Sequence, residues 1–166
     1  MWKTSLTYNS TGYKILVSRR AGYILKELKY DRHNIIYTDV DTVWLEDPRK
    51  YLTGDFDIWG ARRYSSESSR VNYCTGFIVF KCTQASINMA AEWNTQLLKK
   101  SQQNQPIFNT ILRKMSKLKH SLLPIDKFPT GKNYFDENKT EEVAVVHNNF
   151  IKGMLHGVLK YPKCPN

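Results

Sequence analysis

The stretch that decides the fold is Asn34-Ile35-Ile36-Tyr37-Thr38-Asp39-Val40-Asp41-Thr42-Val43-Trp44. It begins as an apolar run of β-branched and aromatic residues that is too short for a helix, so it predicts a buried strand over 34–38. The run stops at Asp39 and Asp41. Because the backbone turns out of the sheet where a strand ends, both carboxylates can point to one place at the carboxyl edge of the sheet, where open α/β sheets bind ligands. Two carboxylates this close repel each other unless a cation lies between them, so the pair predicts a site for a hard divalent ion.

The Asp-x-Asp pattern has two other interpretations. Asp is common where a turn begins, so the stretch also fits a strand followed by an ordinary turn. The same pattern is the nucleophile motif of haloacid-dehalogenase-type phosphohydrolases, and Val43 fits the position where that motif has Thr or Val. Those enzymes need a second acidic pair downstream for Mg²⁺. The sequence has no later Asp-Asp pair, which disfavours the hydrolase.

Strands and helices alternate along the rest of the chain. The hydrophobic pattern predicts helices over 20–30, 83–100 and from about 104, and further strands over 13–18, 56–61, 76–80, 121–125 and 143–146. Thr83 is a plausible N-cap of the second helix, and Leu98 is among its expected inward residues. Strands alternating with helices in 166 residues predict one α/β domain over residues 1–166.

Composition narrows the classes of partner. The formal net charge is +10, but the lysines are spread along predicted helices and no arginine-aromatic stripe stands out, so we expect no nucleic-acid partner. No apolar stretch approaches the length of a membrane span. The three cysteines, Cys74, Cys82 and Cys164, lack the spacing of zinc ligands.

Several motifs, in order along the chain, resemble those of one family. Residues 37–48, Tyr-Thr-Asp-Val-Asp-Thr-Val-Trp-Leu-Glu-Asp-Pro, resemble the central motif of the nucleotide-diphospho-sugar transferases of glycosyltransferase family 77, which includes plant rhamnogalacturonan-II xylosyltransferases. Residues 74–80 resemble the family's Asn-[Ser/Thr]-Gly-Phe strand, and 105–109 its Asp-Gln-x-x-Phe-Asn helix start. Residues 128–131 and 147–153 follow in the family's order. The resemblance extends over about residues 20–160, and the ordered set is more specific than any single motif.

The resemblance implies a GT-A fold, a Rossmann-like α/β sandwich, and a site for a nucleotide sugar. It implies that Asp39, Asp41 and His147 hold Mn²⁺ or Mg²⁺ against the donor diphosphate. Gln105 and Asn104 would lie near the anomeric carbon as the candidate catalytic residues. The remaining implied substrate-binding residues are Arg20, Cys74, Gly76, Asn149 and Gly153.

The implied reaction is the retaining transfer of a sugar, xylose or another pentose, from a nucleotide donor such as a UDP-sugar to a glycan or glycoprotein acceptor. The implied compartment is the Golgi or another part of the secretory lumen, although the N-terminus lacks the pattern of a signal peptide.

Four departures from the family pattern support a different hypothesis. Cys74 replaces a sugar-facing Asn, Asn104 replaces an Asp, and His156 stands where relatives have a Lys. Only nineteen residues precede Arg20, so most of the family's first strand-helix-strand portion is expected to be missing. A non-catalytic nucleotide- or carbohydrate-binding remnant of such an enzyme therefore remains an alternative. Asn104 also fits an ordinary helix N-cap.

Overall fold

A four-stranded sheet forms the centre of the protein. The computed structural model describes residues 10–63, 72–99, 103–136 and 142–149. The strand order is β1-β4-β3-β5, formed by β1 (Ile35–Thr38), β4 (Tyr73–Phe80), β3 (Ile58–Arg62) and β5 (His120–Leu122). Strand β4 pairs antiparallel with both β1 and β3, whereas β3 and β5 are parallel. A second, two-stranded sheet pairs β2 (Thr42–Trp44) with β6 (Val145–His147) in antiparallel fashion.

Both faces of the central sheet are covered. Because alternate side chains of a strand point to opposite sides, each strand contributes side chains to two cores. On one face, Ile78 and Phe80 of β4 join a core formed with helices α1 (Thr11–Lys26), α2 (Gln84–Lys99) and α3 (Asn104–Lys114). On the other face, Phe77 and Val79 pack in a second core that includes residues of β6 and the segment before it. A short helix, α4 (Gly131–Asp136), precedes β6. The mixed α/β architecture predicted from the sequence is confirmed.

The predicted strand over 13–18 is wrong, because these residues lie within α1. The helix begins after Ser10, whose side chain accepts a hydrogen bond from Tyr13 N at 3.2 Å, and it continues as a π-helical turn over Glu27–Asp31. Its inner face includes the buried residues Ala21, Ile24 and Leu28, a spacing typical of a helix. The apolar run Ile15-Leu16-Val17 is thus the exposed and half-buried flank of a helix that starts nine residues before the predicted one.

Helix α2 begins at the predicted cap. The Thr83 hydroxyl accepts a hydrogen bond from Ser86 N at 3.2 Å, which confirms the N-cap. The inward face differs from the prediction: Leu98 is 78% exposed, and Trp93, which was not expected to face inward, is fully buried. One face of a helix recurs every three to four residues, so Met89, Trp93 and Leu97 share the buried side and Leu98 is rotated about 100° away from Leu97.

The remaining predicted elements lie close to their expected positions, whereas β2 and α4 were not predicted. Strand β1 is half-buried rather than buried because it is at the edge of the sheet. Strand β3 begins two residues later than predicted, β4 begins three residues earlier, and β5 ends three residues sooner. Among the helices that the structure describes, none is both long enough and apolar enough to cross a membrane.

Candidate metal centre

The Asp39–Thr42 turn joins β1 to β2 and carries both acidic residues. Its first residue is anchored to the sheet, since Asp39 N donates to Gly76 O at 2.8 Å. Thr42 closes the turn by donating to Asp39 O from its backbone N at 3.2 Å and from its hydroxyl at 2.8 Å. The hydroxyls of Thr38 and Thr42 also contact each other. The sequence Asp-Val-Asp-Thr therefore forms a tight turn with Val40 fully exposed at its tip.

His147 reaches the turn from the other end of the chain. In the β2–β6 pair, His147 is the partner of Thr42, and Asn148 N donates to Asp41 O at 2.9 Å. This pairing places His147 Nε2 3.2 Å from Asp41 Oδ1 and 4.0 Å from Asp39 Oδ2. The donor atoms of Asp39, Asp41 and His147 all lie within 4.8 Å of one another. The structure thus brings together the three residues that the sequence suggested as metal ligands.

Gly76 makes room for the histidine ring. A Cβ atom at this position would lie 2.0 Å from His147 Cε1 and 2.6 Å from Nε2. Real side chains do not approach this closely, so no larger residue fits here unless the ring moves. The resemblance suggested Gly76 as a substrate-binding residue. The structure places it at the pocket wall, directly against the imidazole.

An irregularity in the β3–β4 ladder exposes the backbone of Thr75 to the site. The register shifts between Gly60, paired with Ile78, and Arg62, paired with Tyr73. Within the shifted part, Thr75 N donates to Gln105 Oε1 at 3.1 Å and Thr75 O accepts from Arg20 Nη1 at 3.0 Å. Such bulges commonly redirect side chains beside functional sites. Here the bulge turns a strand backbone toward side chains of α1 and α3.

Arg20 lies in the pocket wall, where its guanidinium group contacts Asp39 and Tyr37. Its Nη2 atom lies 3.1 Å from Asp39 Oδ1, and its Cζ atom lies 4.9 Å from the centre of the Tyr37 ring. The Tyr37 hydroxyl donates to the same Asp39 oxygen at 3.0 Å. Burial raises the pKa of Tyr37 to about 12, with Arg20 opposing the shift and Asp39 adding to it. Arg20 and Tyr37 together fix the orientation of the Asp39 carboxylate.

His147 and Asp41 stabilise each other's charged forms. Burial lowers the pKa of His147, but its hydrogen bonds to Asp41 and Cys74 outweigh burial and raise that pKa to about 10. The hydrogen bond from His147 also lowers the pKa of Asp41, against the effect of partial burial. A positive charge is therefore favoured between these side chains. A proton on Nε2 and a metal ion would compete for this place.

Asn104 and Gln105 bind the bulge rather than capping the helix. Asn104 is the first residue of α3 and Gln103 holds the cap position, so the N-cap interpretation of Asn104 is wrong. The Oδ1 atom of Asn104 accepts from the Thr75 hydroxyl at 3.3 Å, and Nδ2 donates to Val17 O at 3.4 Å. Asn104 is buried because it links α1, α3 and β4.

These residues line one cavity of about 470 Å³. It contains every predicted site residue that the structure describes: Arg20, Asp39, Asp41, Cys74, Gly76, Asn104, Gln105, His147 and Asn149. Gly153 and His156 lie outside the described residues, as does Cys164. Sequence reasoning missed Lys14 and Arg63, which also line the cavity. No motif marks them, because Lys14 lies in the misassigned segment and Arg63 follows β3 in a polar stretch.

Comparisons with known proteins identify the family of the chain. Residues 3–158 match the nucleotide-diphospho-sugar transferase family. The chain is 32% identical to UDP-D-xylose:L-fucose alpha-1,3-D-xylosyltransferase 3 of Arabidopsis thaliana, covering 88% of this chain and 45% of the relative. A second plant relative, named UDP-D-xylose:L-fucose alpha-1,3-D-xylosyltransferase, is 28% identical, with coverage of 91% and 48%. The UDP-galactose:fucoside alpha-3-galactosyltransferase of Dictyostelium discoideum is 24% identical, with coverage of 89% and 27%. The chain spans about half the length of the plant relatives that it matches. With the family match extending over most of its residues, this chain belongs to the nucleotide-diphospho-sugar transferase family.

Proposed function

We propose that this chain forms part of a metal-dependent glycosyltransferase that moves a sugar from a nucleotide diphosphate to a glycan hydroxyl. The observation that carries the proposal is the Asp39–Asp41–His147 cluster, whose donor atoms lie within 4.8 Å of one another at the wall of a cavity. The three residues come from two strand ends that are more than a hundred residues apart in the chain.

The chemistry of the donor set fits a divalent ion. Two carboxylates favour hard cations, and an imidazole nitrogen favours a transition metal, so the mixed set supports Mn²⁺ over Mg²⁺. The room that Gly76 leaves for the imidazole also supports a metal site, because it allows Nε2 to face both carboxylates. When bound, such an ion would offset the negative charge that develops on the departing nucleoside diphosphate.

Other charged residues would bind the donor and orient the ligands. Arg20 is held by Thr75 O and Asp39, so we assign it the role of fixing the Asp39 carboxylate. Lys14 and Arg63 line the cavity, and within the described part of the chain neither side chain forms an ion pair with a carboxylate. We assign these two cations to the phosphate oxygens of the donor, which a positive cavity wall would attract.

A retaining transferase can act through a covalent intermediate or through attack of the acceptor on the face that the leaving group departs from. The residues that line the cavity favour the second route. Among the described residues that line it, the only carboxylates are Asp39 and Asp41, the proposed metal ligands. A covalent intermediate on a separate carboxylate therefore has no nucleophile in this part of the site. We propose that the acceptor hydroxyl attacks from the face that the leaving group departs from, with Gln105 near the anomeric carbon.

The names of the relatives narrow the substrates. The plant relatives are named for UDP-xylose and fucose, and the Dictyostelium relative for UDP-galactose and a fucoside. We therefore propose a UDP-sugar donor, with xylose ahead of galactose, and a fucose-bearing glycan or glycoprotein as acceptor. Because such glycans are built in the secretory lumen, we propose that compartment for the protein, and the Golgi within it.

Metal binding is tested first, by electron paramagnetic resonance (EPR) of free Mn²⁺ during titration. Asp39→Asn/Asp41→Asn is expected to abolish high-affinity binding, because it removes both charged ligands. The double variant Asp47→Asn/Asp55→Asn removes the same charge from exposed ion pairs and is expected to bind Mn²⁺ as the wild type does. Equal Mn²⁺ affinity in the two double variants would refute the metal centre.

Turnover is tested separately, by transfer of labelled sugar from UDP-xylose, UDP-galactose and UDP-arabinose to a fucoside. We expect transfer with Mn²⁺ and none with a chelator. Transfer that persists in chelator would refute the metal mechanism while leaving the transferase assignment intact.

A second candidate function is nucleotide-sugar binding without turnover. The observation that favours it is the identity of the sugar-facing side chains: Asn104 is tied to Thr75, and Cys74 to His147. Neither offers a free carboxylate or amide to the donor. Mn²⁺-dependent binding of UDP, measured by calorimetry, with no transfer to any acceptor would support this function over the enzyme.

A further inference from the structure

The side of the His147 ring that faces away from the carboxylates meets two polar groups. Cys74 Sγ lies 3.2 Å from His147 Nδ1, and Asn149 Nδ2 lies 3.1 Å from the same nitrogen. Asn149 Nδ2 and Cys74 Sγ are 3.6 Å apart. These three residues form a compact Nδ1 cluster behind the ring. Neither Cys74 nor Asn149 is needed as a metal ligand, so the cluster requires its own explanation.

The position of the imidazole proton decides whether His147 can bind a metal ion. A neutral imidazole carries one proton, and only the other nitrogen has a lone pair to donate. Nε2 faces Asp39 and Asp41, so metal binding through Nε2 requires the proton on Nδ1. An amide nitrogen can only donate hydrogen bonds. With Asn149 Nδ2 facing Nδ1, the favoured tautomer would be the one that cannot bind the ion.

The other end of the same amide resolves this conflict. Asn149 Oδ1 is buried and has no hydrogen-bond partner among the described residues. A half-turn of the amide exchanges Oδ1 with Nδ2 and places an acceptor at hydrogen-bond distance from Nδ1. The proton on Nδ1 then has two acceptors, Asn149 Oδ1 and Cys74 Sγ, and the buried oxygen gains the partner that it lacks.

We propose that Cys74 and Asn149 are positioning residues whose acceptor atoms hold the proton on His147 Nδ1, so that the proton given up to an entering metal ion is the one on Nε2. This role rests on the metal site proposed above and replaces the sugar-contacting roles expected for the two residues. Metal-binding histidines generally donate their second N–H to an acceptor, and losing that acceptor typically weakens metal binding about 10- to 100-fold. Here a thiol and an amide from two strand ends share the task.

The tautomer can be measured directly by long-range ¹H–¹⁵N correlation NMR, which shows which ring nitrogen carries a proton. The sequence contains four histidines, so the spectrum is simple, and His147→Gln assigns the resonance. We expect a proton on His147 Nδ1 in both the metal-free and the Mg²⁺-loaded protein. A bare Nδ1 in either state would overturn the proposal.

Variants then test the consequence for Mn²⁺ affinity, measured by EPR. Asn149→Leu and Cys74→Ala are each expected to weaken binding about 10- to 100-fold, whereas Asn149→Asp and Cys74→Ser keep an acceptor and should retain most of it. Cys82→Ala and Asn88→Asp are matched controls in positions outside the cavity, and we expect wild-type affinity from both. If the double variant Asn149→Leu/Cys74→Ala binds Mn²⁺ as the wild type does, the proposal is wrong.

The two measurements separate this inference from the proposed function. A wild-type protein that binds no Mn²⁺ would refute the metal centre. The metal-free protein would still test the Nδ1 cluster at a pH above the raised pKa of His147, about 10, where the imidazole is neutral and its single proton is expected on Nδ1. If the larger replacements fail to fold, the NMR measurement on the Mg²⁺-loaded wild-type protein keeps the proposal falsifiable, because a bare Nδ1 there would overturn it.

Discussion

Replacing Gly76 by alanine is the sharpest test of the site geometry. The added methyl group would lie 2.0 Å from His147 Cε1, about 1.4 Å short of ordinary van der Waals contact at 3.4 Å. His147 is only 7% exposed, so its ring has little space into which to retreat. The structure records no positive φ at Gly76, so the clash with His147 is the only strain expected of an alanine there.

Two opposing effects set the size of the change in stability. Overpacking in a well-packed interior costs about 1–3 kcal/mol. The alanine also restricts the unfolded chain, which contributes about 0.4–1 kcal/mol in the other direction. We therefore expect Gly76→Ala to lower the free energy of unfolding by roughly 1–2 kcal/mol, measured by urea denaturation. Displacement of the ring should also weaken Mn²⁺ binding at least about tenfold, because Nε2 no longer faces both carboxylates.

Two other glycines provide controls. Gly60→Ala places a methyl group 2.7 Å from Tyr73 Cδ1, so it should destabilise the fold to a similar degree without weakening Mn²⁺ binding. Gly22→Ala, within α1, meets only the end of the Asn94 side chain at 3.2 Å and is expected to stabilise the protein by about 0.5–1 kcal/mol. A Gly76→Ala protein with wild-type stability and wild-type Mn²⁺ affinity would refute the packing of His147 against Gly76.

Three further predictions concern the scaffold. Trp93→Ala, at a fully buried position, is expected to lower the free energy of unfolding by about 3–5 kcal/mol, whereas Leu98→Ala should change it by less than about 0.5 kcal/mol; similar losses in urea denaturation would contradict the orientation of α2. Thr83→Ala removes the cap of α2 and should cost about 1 kcal/mol, with Thr83→Ser recovering most of it. Burial lowers the pKa of His120 below its ordinary 6.5, so the unfolded chain binds this proton more tightly than the folded protein does. Stability is therefore expected to fall as the pH drops from 6.5 through the lowered pKa, and a His120→Asn variant with the wild-type pH dependence would exclude this cause.

The parts of the site that are local in sequence were predictable. Asp39 and Asp41 are separated by one residue and follow an apolar strand, so their convergence depends on a single turn. His147 also ends an apolar strand, but its choice as a ligand rested on the resemblance to the family, since a histidine at a turn is more often structural. Neither inference needed knowledge of how the strands pair. The order of the motifs along the chain then identified the family, which the comparisons confirm.

The parts that depend on tertiary packing were not predictable. The position of Thr75 depends on a register shift between two strands. Gly60 and Gly76 lie at this shift, but an isolated glycine does not fix the size of a shift or the residue that it turns toward the site. The contact of Cys74 with His147 joins residues 73 positions apart in the chain. The strand assigned to 13–18 failed because a short apolar run fits a strand and a helix equally well, and only the cap and the packed inner face of α1 distinguish them.

Repulsion between the two aspartates does not by itself require a bound metal ion, and the structure shows why. Arg20 already contacts Asp39 from one side, and His147 contacts Asp41 from the other, so the paired carboxylates are balanced by cations of the protein itself. A metal ion entering this site must displace a proton from His147 Nε2 and share Asp39 with a guanidinium group. The Mn²⁺ affinity therefore measures the difference in free energy between the site with its proton on His147 and the site with a bound ion. It does not measure the repulsion between two unpaired carboxylates. For this reason the groups behind the ligands, Arg20 at Asp39 and the Nδ1 cluster at His147, should influence metal binding as strongly as the ligands' own spacing does.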